Sequence, residues 1–145
     1  MPFPRPAPGQ VIRYAYLWRS EYQRGQEEGA KDRPCVIVLT VTDEEGDQVV
    51  TVLPVTHTPP ADPNRALEIP HATKQRLGLD DDRSWVVLTE ANRFIWPGPD
   101  LCLLNRDDPA SIVYGELPGK LLMQIRDRFL NAIMTGISAP VPRTQ

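Results

Sequence analysis

Short runs of β-branched and aromatic residues alternate with polar stretches along most of this chain. The clearest runs cover residues 11–18, 36–41 and 49–55, and their composition is typical of β-strands. The run at 36–41 is almost continuously apolar, which predicts a strand buried on both faces. Residues 43–47 (DEEGD) are polar and contain a glycine, so the last two runs are predicted to pair as an antiparallel hairpin.

Weaker strand patterns follow the hairpin at residues 66–69 and 84–89, and residues 101–104 are predicted to be a short last strand or a bridge. With the three stronger runs they predict about five short strands. Short strands separated by turn-forming residues are typical of small, strongly curved antiparallel sheets or barrels. The chain is therefore predicted to be mainly β.

Residues 118–132 carry the one clear helical pattern, because apolar side chains recur every three or four positions along one face. Gly136 suits the C-terminal cap of this helix. A second, shorter helix is predicted at 70–77, where Gly78 would end it. The apolar stripe of the longer helix consists of Leu122, Ile125, Phe129, Ala132 and Ile133.

The 145 residues are expected to form one domain. Residues 1–9 are proline-rich and are expected to be an extended arm, residues 10–136 the domain, and residues 137–145 a flexible tail. Residues 19–32 are charged and contain two glycines, which predicts a long polar loop between two strong strands. Loops of this length inside a small domain often serve a function.

Composition narrows the classes of function. The net charge is -3 and the pI is about 5.4, whereas general nucleic-acid binders are usually basic, so a nucleic-acid role needs a local site. No apolar run approaches the roughly 20 residues that cross a bilayer, and the N-terminal sequence lacks the apolar core of a signal peptide. We therefore expect a cytoplasmic protein with no membrane partner.

Metal ligands and other cofactors are not expected. The two cysteines and two histidines do not share the close spacing of structural zinc sites. The three consecutive aspartates at 80–82 would not share a face of a helix or a strand, which favours a solvated turn.

Three polar residues lie at the predicted open end of the hairpin. Arg33 opens the first strand, and Thr56 and His57 close the second. An arginine fork fits a phosphate, a threonine hydroxyl can donate to it, and a histidine can transfer a proton near neutral pH. Together they could bind a phosphodiester and stabilise charge in a transition state. Capping and surface pairing are the alternative interpretation.

A second polar group follows the strand that begins at Trp85. It consists of Glu90, Asn92 and Arg93, with Trp96 shortly after them. An exposed tryptophan can stack on an RNA base. Trp96 could equally belong to the core or to a dimer interface.

The order of these pieces resembles the PemK/MazF family of toxin endoribonucleases. The resemblance spans roughly residues 8–135 and depends on the ordered set of motifs. These motifs are PGQVIRY, CVIVLTV, VVTVLPVT, WVVLTEANRFI and YGELPGKLLMQIRDRFLNAI.

The resemblance implies a compact SH3-like barrel with a C-terminal α-helix. It also implies metal-independent cleavage of single-stranded RNA, in which the ribose 2′-OH attacks the adjacent phosphorus. Arg33 and Thr56 match the family's active-site positions. His57 stands where a small hydroxyl residue is common in the family, and we predict that it helps proton transfer.

The remaining site residues are predicted substrate contacts. The loop at 19–32 resembles the segment that covers the substrate in the family, with Glu28 among the residues nearest to the site. Glu90 and Arg93 match an acidic residue and an arginine of the family, and Asn92 and Trp96 complete the set. The partners implied are single-stranded RNA, a cognate antitoxin and a second copy in a homodimer.

Two other functions fit the same residues. The protein could be a non-catalytic binding module, or a toxin on the same barrel that acts on a protein target, as in the related gyrase-poisoning toxins. It could also be a structural protein that dimerises through an exposed patch. The charged loop, His57 and Trp96 depart from the family pattern and indicate an altered RNA preference or a lost activity.

Overall fold

A computed structural model describes residues 3–26, 29 and 31–143 of the chain. These residues form a mainly β structure with three α-helices and one short 3-10 helix, Pro109–Ile112. The predicted fold class is therefore confirmed at this level. The strands are β1 (Gln10–Tyr14), β2 (Arg33–Thr42), β3 (Gln48–Thr56), β4 (Ala66–Glu68), β5 (Trp85–Val87), β6 (Asn92–Ile95), β7 (Val113–Glu116) and β8 (Val141–Pro142), and the helices are α1 (Arg19–Gln23), α2 (His71–Leu77) and α3 (Gly119–Met134).

Antiparallel pairing joins six strands in the order β4–β5–β3–β2–β1–β7. Strand β6 also pairs with β3, and β8 lies parallel to β6. Within the described part of the chain, the terminal strands β4 and β7 do not pair with each other, so the sheet is open. Closure of the sheet into a barrel is not observed.

The predicted hairpin is the longest pair of strands. Strands β2 and β3 pair from Cys35 opposite Pro54 to Thr42 opposite Gln48, with one irregularity near Val38. The carboxylate of Asp43 closes the turn by accepting two backbone hydrogen bonds at 2.8 and 3.0 Å. Residues 35–38 are all buried, so the predicted burial on both faces holds for the first half of the run at 36–41, whereas Val41 is exposed near the turn.

Strand β3 changes partner along one edge. Its first half pairs with β6 and its end pairs with β5, and Pro54 lies between the two ladders. Proline lacks a backbone donor and is tolerated where pairing is interrupted. The strand predicted at 84–89 is observed as the shorter β5, and the residues after it form a separate strand, β6, beyond a turn.

The core has two layers because β2 is buried on both faces. Alternate residues of a strand point to opposite sides, so Val36 contributes to one hydrophobic cluster and Ile37 to the other. The first cluster packs against α3 through Ile125 and Phe129, which are fully buried. The helix thus buries the predicted stripe. No helix among the described residues combines the length and apolarity needed to span a bilayer.

Both ends of the described chain pack on the sheet. Residues 3–7 of the N-terminal arm lie outside helices and strands, and the backbone N–H of Gly9 donates to the carbonyl of Ile37. Residues 137–145 were expected to be a flexible tail, but 141–142 form β8 and Arg143 is buried. Its guanidinium donates to the carbonyl of Ala15 and pairs with Asp100 at 2.9 Å. These contacts hold the C-terminal segment against the rest of the domain. The composition of the segment did not indicate that it would make such contacts.

Candidate functional site

The open end of the hairpin brings the three predicted catalytic residues together. Arg33 begins β2, Thr56 ends β3 and His57 follows it, and all three line one cavity of about 400 Å³. The antiparallel register accounts for this. Cys35 pairs with Pro54, so the residues before Cys35 and the residues after Pro54 lie at the same end of the hairpin. The predicted proximity of these residues is therefore observed, while their roles remain predictions.

Arg33 retains unused hydrogen-bonding capacity. Its Nη1 donates to the carbonyl of Val55 at 3.4 Å, and its guanidinium lies 4.9 Å from the centre of the Trp18 ring. Its Nε is buried and has no hydrogen-bond partner among the described residues. Buried donors are nearly always paired in folded proteins. The guanidinium as a whole lines the cavity, so its fixed positive charge is suited to an incoming anion.

Thr56 presents a hydroxyl group in the same cavity. Its Oγ1 accepts a hydrogen bond from the backbone N–H of Thr58 at 3.2 Å. A hydroxyl can accept and donate at the same time, so this contact orients the oxygen and leaves its hydrogen available. Thr56 can therefore donate to an oxygen atom of a ligand.

His57 is exposed, and one of its two ring nitrogens is engaged. Its Nε2 lies 2.7 Å from Oδ2 of Asp80. A carboxylate only accepts hydrogen bonds, so Nε2 carries the proton in the neutral ring. The lone pair is then on Nδ1, which can accept a proton from a substrate.

Lys74 also lines this cavity, and it was not among the residues predicted for the site. It is only 2% exposed, and its ammonium donates to Oδ1 of Asp80 at 2.6 Å, to Oγ of Ser84 at 2.7 Å and to the carbonyl of Asp82. A lysine is almost never buried this completely without partners. The available signal was its position on α2, three residues before the buried Leu77 and hence on the apolar face.

Asp80 lies between Lys74 and His57 and touches both. The pKa of Asp80 is lowered, chiefly by the hydrogen bond from Lys74 and then by the charge of Lys74, with a smaller contribution from its contact with His57. Its carboxylate is therefore held in the ionised form. The run at 80–82, predicted as a solvated turn, contributes one aspartate to the cavity.

Among the described residues, two groups of side chains have the donor types that bind cations. His57, Asp80 and Asp82 offer ligand atoms within 4.8 Å of one another and are exposed. The ammonium of Lys74 already supplies a positive charge there, since it bonds both aspartates, one through its carboxylate and one through its carbonyl. We assign no metal to either group. The second group is the hairpin turn, with Asp43, Glu45 and Asp47.

A larger and more apolar cavity shares Arg33 and Thr56 with the first one. Its volume is about 660 Å³, and the side chains around it include Trp18, Pro59 and Val87. The cation of Arg33 thus stands between a polar cavity and an apolar one. This arrangement suits a ligand that carries both a charged and a flat apolar part.

Asn92, a predicted substrate contact, is a structural residue. It is fully buried, and its amide group donates to the carbonyls of Leu17 and Ala91. Its Oδ1 accepts from the backbone of Leu17 at 2.9 Å and from Arg143 at 3.0 Å. These four bonds occupy the amide, and Asn92 therefore tethers the segment after β1 to β6 and the C-terminal segment.

Glu90, Arg93 and Trp96, three further predicted substrate contacts, also lie outside the two cavities that Arg33 lines. Glu90 accepts from the backbone of Arg19 at 3.0 Å and from the hydroxyl of Tyr16 at 3.1 Å, and burial raises its pKa. Arg93 is exposed on β6. The indole of Trp96 donates to a carbonyl of the N-terminal arm at 3.1 Å and packs near Phe94.

The covering loop is only partly described. Its first residues form α1, which was predicted as loop. Glu28 lies outside the described residues, so its predicted contact with substrate stays a prediction.

No protein-family model matches the chain, and no curated protein matches it significantly. The resemblance to the PemK/MazF family therefore depends on the sequence motifs alone. The geometry at Arg33, Thr56 and His57 is an independent basis for a function.

Proposed function

We propose that this protein is an endoribonuclease that cleaves single-stranded RNA without a metal ion. The observation that carries the proposal is the convergence of Arg33, Thr56 and His57 in one open cavity. A fixed cation, a hydroxyl donor and an imidazole with an available nitrogen are the groups that phosphodiester transesterification requires.

In this proposal the ribose 2′-OH is the nucleophile. Nδ1 of His57 takes its proton while the 2′-oxygen forms a bond to the adjacent phosphorus. The bond from phosphorus to the 5′-oxygen breaks, and the leaving oxygen takes a proton from water. The products are a 2′,3′-cyclic phosphate and a 5′-hydroxyl end.

Arg33 and Thr56 bind the phosphate in the same scheme. The guanidinium of Arg33, which lines the cavity, donates to a non-bridging oxygen and stabilises the charge that increases in the transition state. The hydroxyl of Thr56 donates to a phosphate oxygen, with its position set by the contact from Thr58. The apolar cavity beside Arg33 leaves room for the flanking nucleotide.

The wider biological context belongs to the same proposal. We propose that the open sheet is a variant of the SH3-like barrel of PemK/MazF toxins, and that the protein acts in the cytoplasm as a homodimer. A cognate antitoxin inhibits it by covering the cavity at the open end of the hairpin.

The direct test incubates the purified protein with single-stranded RNA in EDTA. Wild type is expected to cleave and to leave cyclic phosphate ends. Arg33→Ala is expected to lower kcat/KM about 100- to 1000-fold, since one preorganised donor to the transition state is lost. Arg126→Ala is the matched control, because Arg126 is an exposed arginine on α3, outside both cavities. No cleavage by wild type, or unchanged cleavage by Arg33→Ala, contradicts the proposal.

A non-catalytic binding module is the second candidate. The observation that favours it is the larger apolar cavity, which could hold an apolar side chain of a protein target. In that case RNA is neither cleaved nor bound, and an oxyanion does not compete with the target at Arg33. Titration with inorganic phosphate, followed at Arg33 and Thr56, separates the two functions.

A further inference from the structure

The contacts of His57 extend away from the cavity into the interior. From His57 the hydrogen bonds lead to Asp80 and from Asp80 to the buried Lys74. We infer that Asp80 and Lys74 are positioning residues that fix the ring orientation of His57 and hold its proton on Nε2. This inference takes its catalytic meaning from the proposed function.

Lys74 is the fixed end of this chain of contacts. It lies on α2, is 2% exposed, and has three donors that are directed at three different acceptors. An ammonium has three N–H groups, so none is left to bind a phosphate directly. Lys74 therefore acts on the cavity only through the groups that it holds.

Asp80 connects Lys74 to His57, because one of its carboxylate oxygens bonds to Lys74 and the other bonds to His57. Oδ1 accepts from Lys74 at 2.6 Å, and Oδ2 accepts from His57 at 2.7 Å. A carboxylate bound at both oxygens cannot rotate without losing one contact. The side chain of Asp80 is 52% exposed, so this ordering comes from its hydrogen-bond partners, which also include the backbone N–H of Asp82 at 3.2 Å from Oδ1, rather than from burial.

His57 needs such a constraint because 56% of its side chain is exposed. An exposed imidazole samples several orientations and both neutral tautomers. With Nε2 bonded to Asp80, the basic nitrogen is Nδ1 in every molecule. After proton transfer, the adjacent carboxylate also stabilises the imidazolium, as in other histidine–aspartate pairs.

A purely structural role is the competing interpretation. Lys74 and Asp80 also connect α2 to the segment before β5, and this connection alone could account for their pairing. The two roles differ in what they predict for the histidine ring. Only the positioning role requires the tautomer of His57 to depend on Asp80.

The test measures the side-chain ¹⁵N shifts of His57 by NMR. The only other histidine of the sequence, His71, is assigned with His71→Gln. Wild type is expected to show the Nε2–H tautomer, and Asp80→Asn is expected to lose that preference. Asp81→Asn is the matched control, since Asp81 is an exposed neighbour outside the cavity, and it is expected to leave the shifts unchanged.

Activity provides the second measurement. Asp80→Asn is expected to lower kcat for RNA cleavage about 100-fold with little change in KM, because proton transfer is impaired and phosphate binding is not. Lys74→Gln is expected to change the tautomer and kcat in the same direction. It provides a second test if Asp80→Asn does not fold, which circular dichroism would detect.

The outcomes separate the two claims. If wild type does not cleave RNA, the proposed function fails, and the ¹⁵N shifts still decide whether Asp80 positions His57. If wild type cleaves RNA while Asp80→Asn keeps both the tautomer and kcat, the positioning role is overturned and the proposed function stands. A changed tautomer with lowered kcat supports both.

Discussion

The open end of the β2–β3 hairpin and the start of β6 contain similar residues but use them differently. Both place an arginine and other polar side chains where a strand begins or ends. At the hairpin, Arg33 keeps a buried N–H without a partner among the described residues. At β6, Asn92 makes four hydrogen bonds and is fully buried. Unused hydrogen-bonding capacity beside a cavity, rather than position at a strand end, distinguishes the candidate site.

The same contrast applies to the two acidic residues of these regions. Asp80 bonds to a group that faces the cavity, whereas Glu90 bonds to the backbone of Arg19 and to the hydroxyl of Tyr16. A neighbouring lysine lowers the pKa of Asp80, while burial raises that of Glu90. One carboxylate is held ionised for a partner in the site, and the other is part of the packing.

Replacement of Asn92 is expected to have the largest effect on stability. Asn92→Ala leaves the backbone of Leu17 and the guanidinium of Arg143 short of partners, and buried groups of this kind cost about 1–3 kcal/mol each. We expect the free energy of unfolding to fall by about 3 kcal/mol, as measured by urea denaturation. Asn131→Ala on the exposed face of α3 is the control, with an expected change within about 0.5 kcal/mol. If Asn92→Ala and Asn131→Ala lowered the free energy of unfolding equally, Asn92 would not have the structural role assigned to it.

Replacement of Thr56 is expected to lower activity without lowering stability, in contrast to replacement of Asn92. Thr56→Val removes a hydroxyl and keeps the β-branched shape, so the fold is expected to be unaffected. The value of kcat/KM for RNA cleavage is expected to fall about tenfold, which corresponds to loss of one hydrogen bond of about 1.4 kcal/mol. Thr40→Val, in the same hairpin and outside both cavities, serves as the control. Loss of stability without loss of activity would assign Thr56 a structural role.

Replacement of Glu90 has the smallest expected effect, and its sign depends on pH. Because the pKa of Glu90 is raised, the folded state binds more protons than the unfolded state between the ordinary glutamate pKa and the higher value. This contribution to stability is lost as pH rises through that window. Glu90→Gln does not titrate. Its stability relative to wild type is expected to rise by about 0.5 kcal/mol from about pH 4 to about pH 7. If the stability of Glu90→Gln relative to wild type fell as the pH rose, the raised pKa of Glu90 would be contradicted.

The hairpin and α3 could be predicted from the sequence because their patterns are local. Strand β2 is a continuous apolar run, and α3 has a regular stripe that includes Ile125 and Phe129. Pairing of the two hairpin strands then brings Arg33 and Thr56 to the same end without further information. Prediction of this part of the site therefore requires only the boundaries of the two strands and their antiparallel pairing.

The remaining features depend on contacts between distant residues. Lys74 is coupled to the site through Asp80, and neither residue belongs to a strand end. Asn92 and Arg93 look alike in the sequence, yet one is buried and the other exposed. Closure of the sheet depends on which edge strands meet, and β4 and β7 are too short to indicate this from their patterns. The buried Arg143 likewise follows a proline-rich segment that resembles a tail.

Binding of an RNA that cannot be cleaved tests the central claim most directly. A short single-stranded RNA with a 2′-deoxy sugar at the scissile position retains the phosphate and lacks the nucleophile. Titrated into ¹⁵N-labelled protein, it is expected to shift the signals of Arg33, Thr56 and His57, and Arg33→Ala is expected to abolish these shifts. Shifts confined to residues 90–96, or no shifts at all, would contradict a phosphodiester site at the open end of the hairpin.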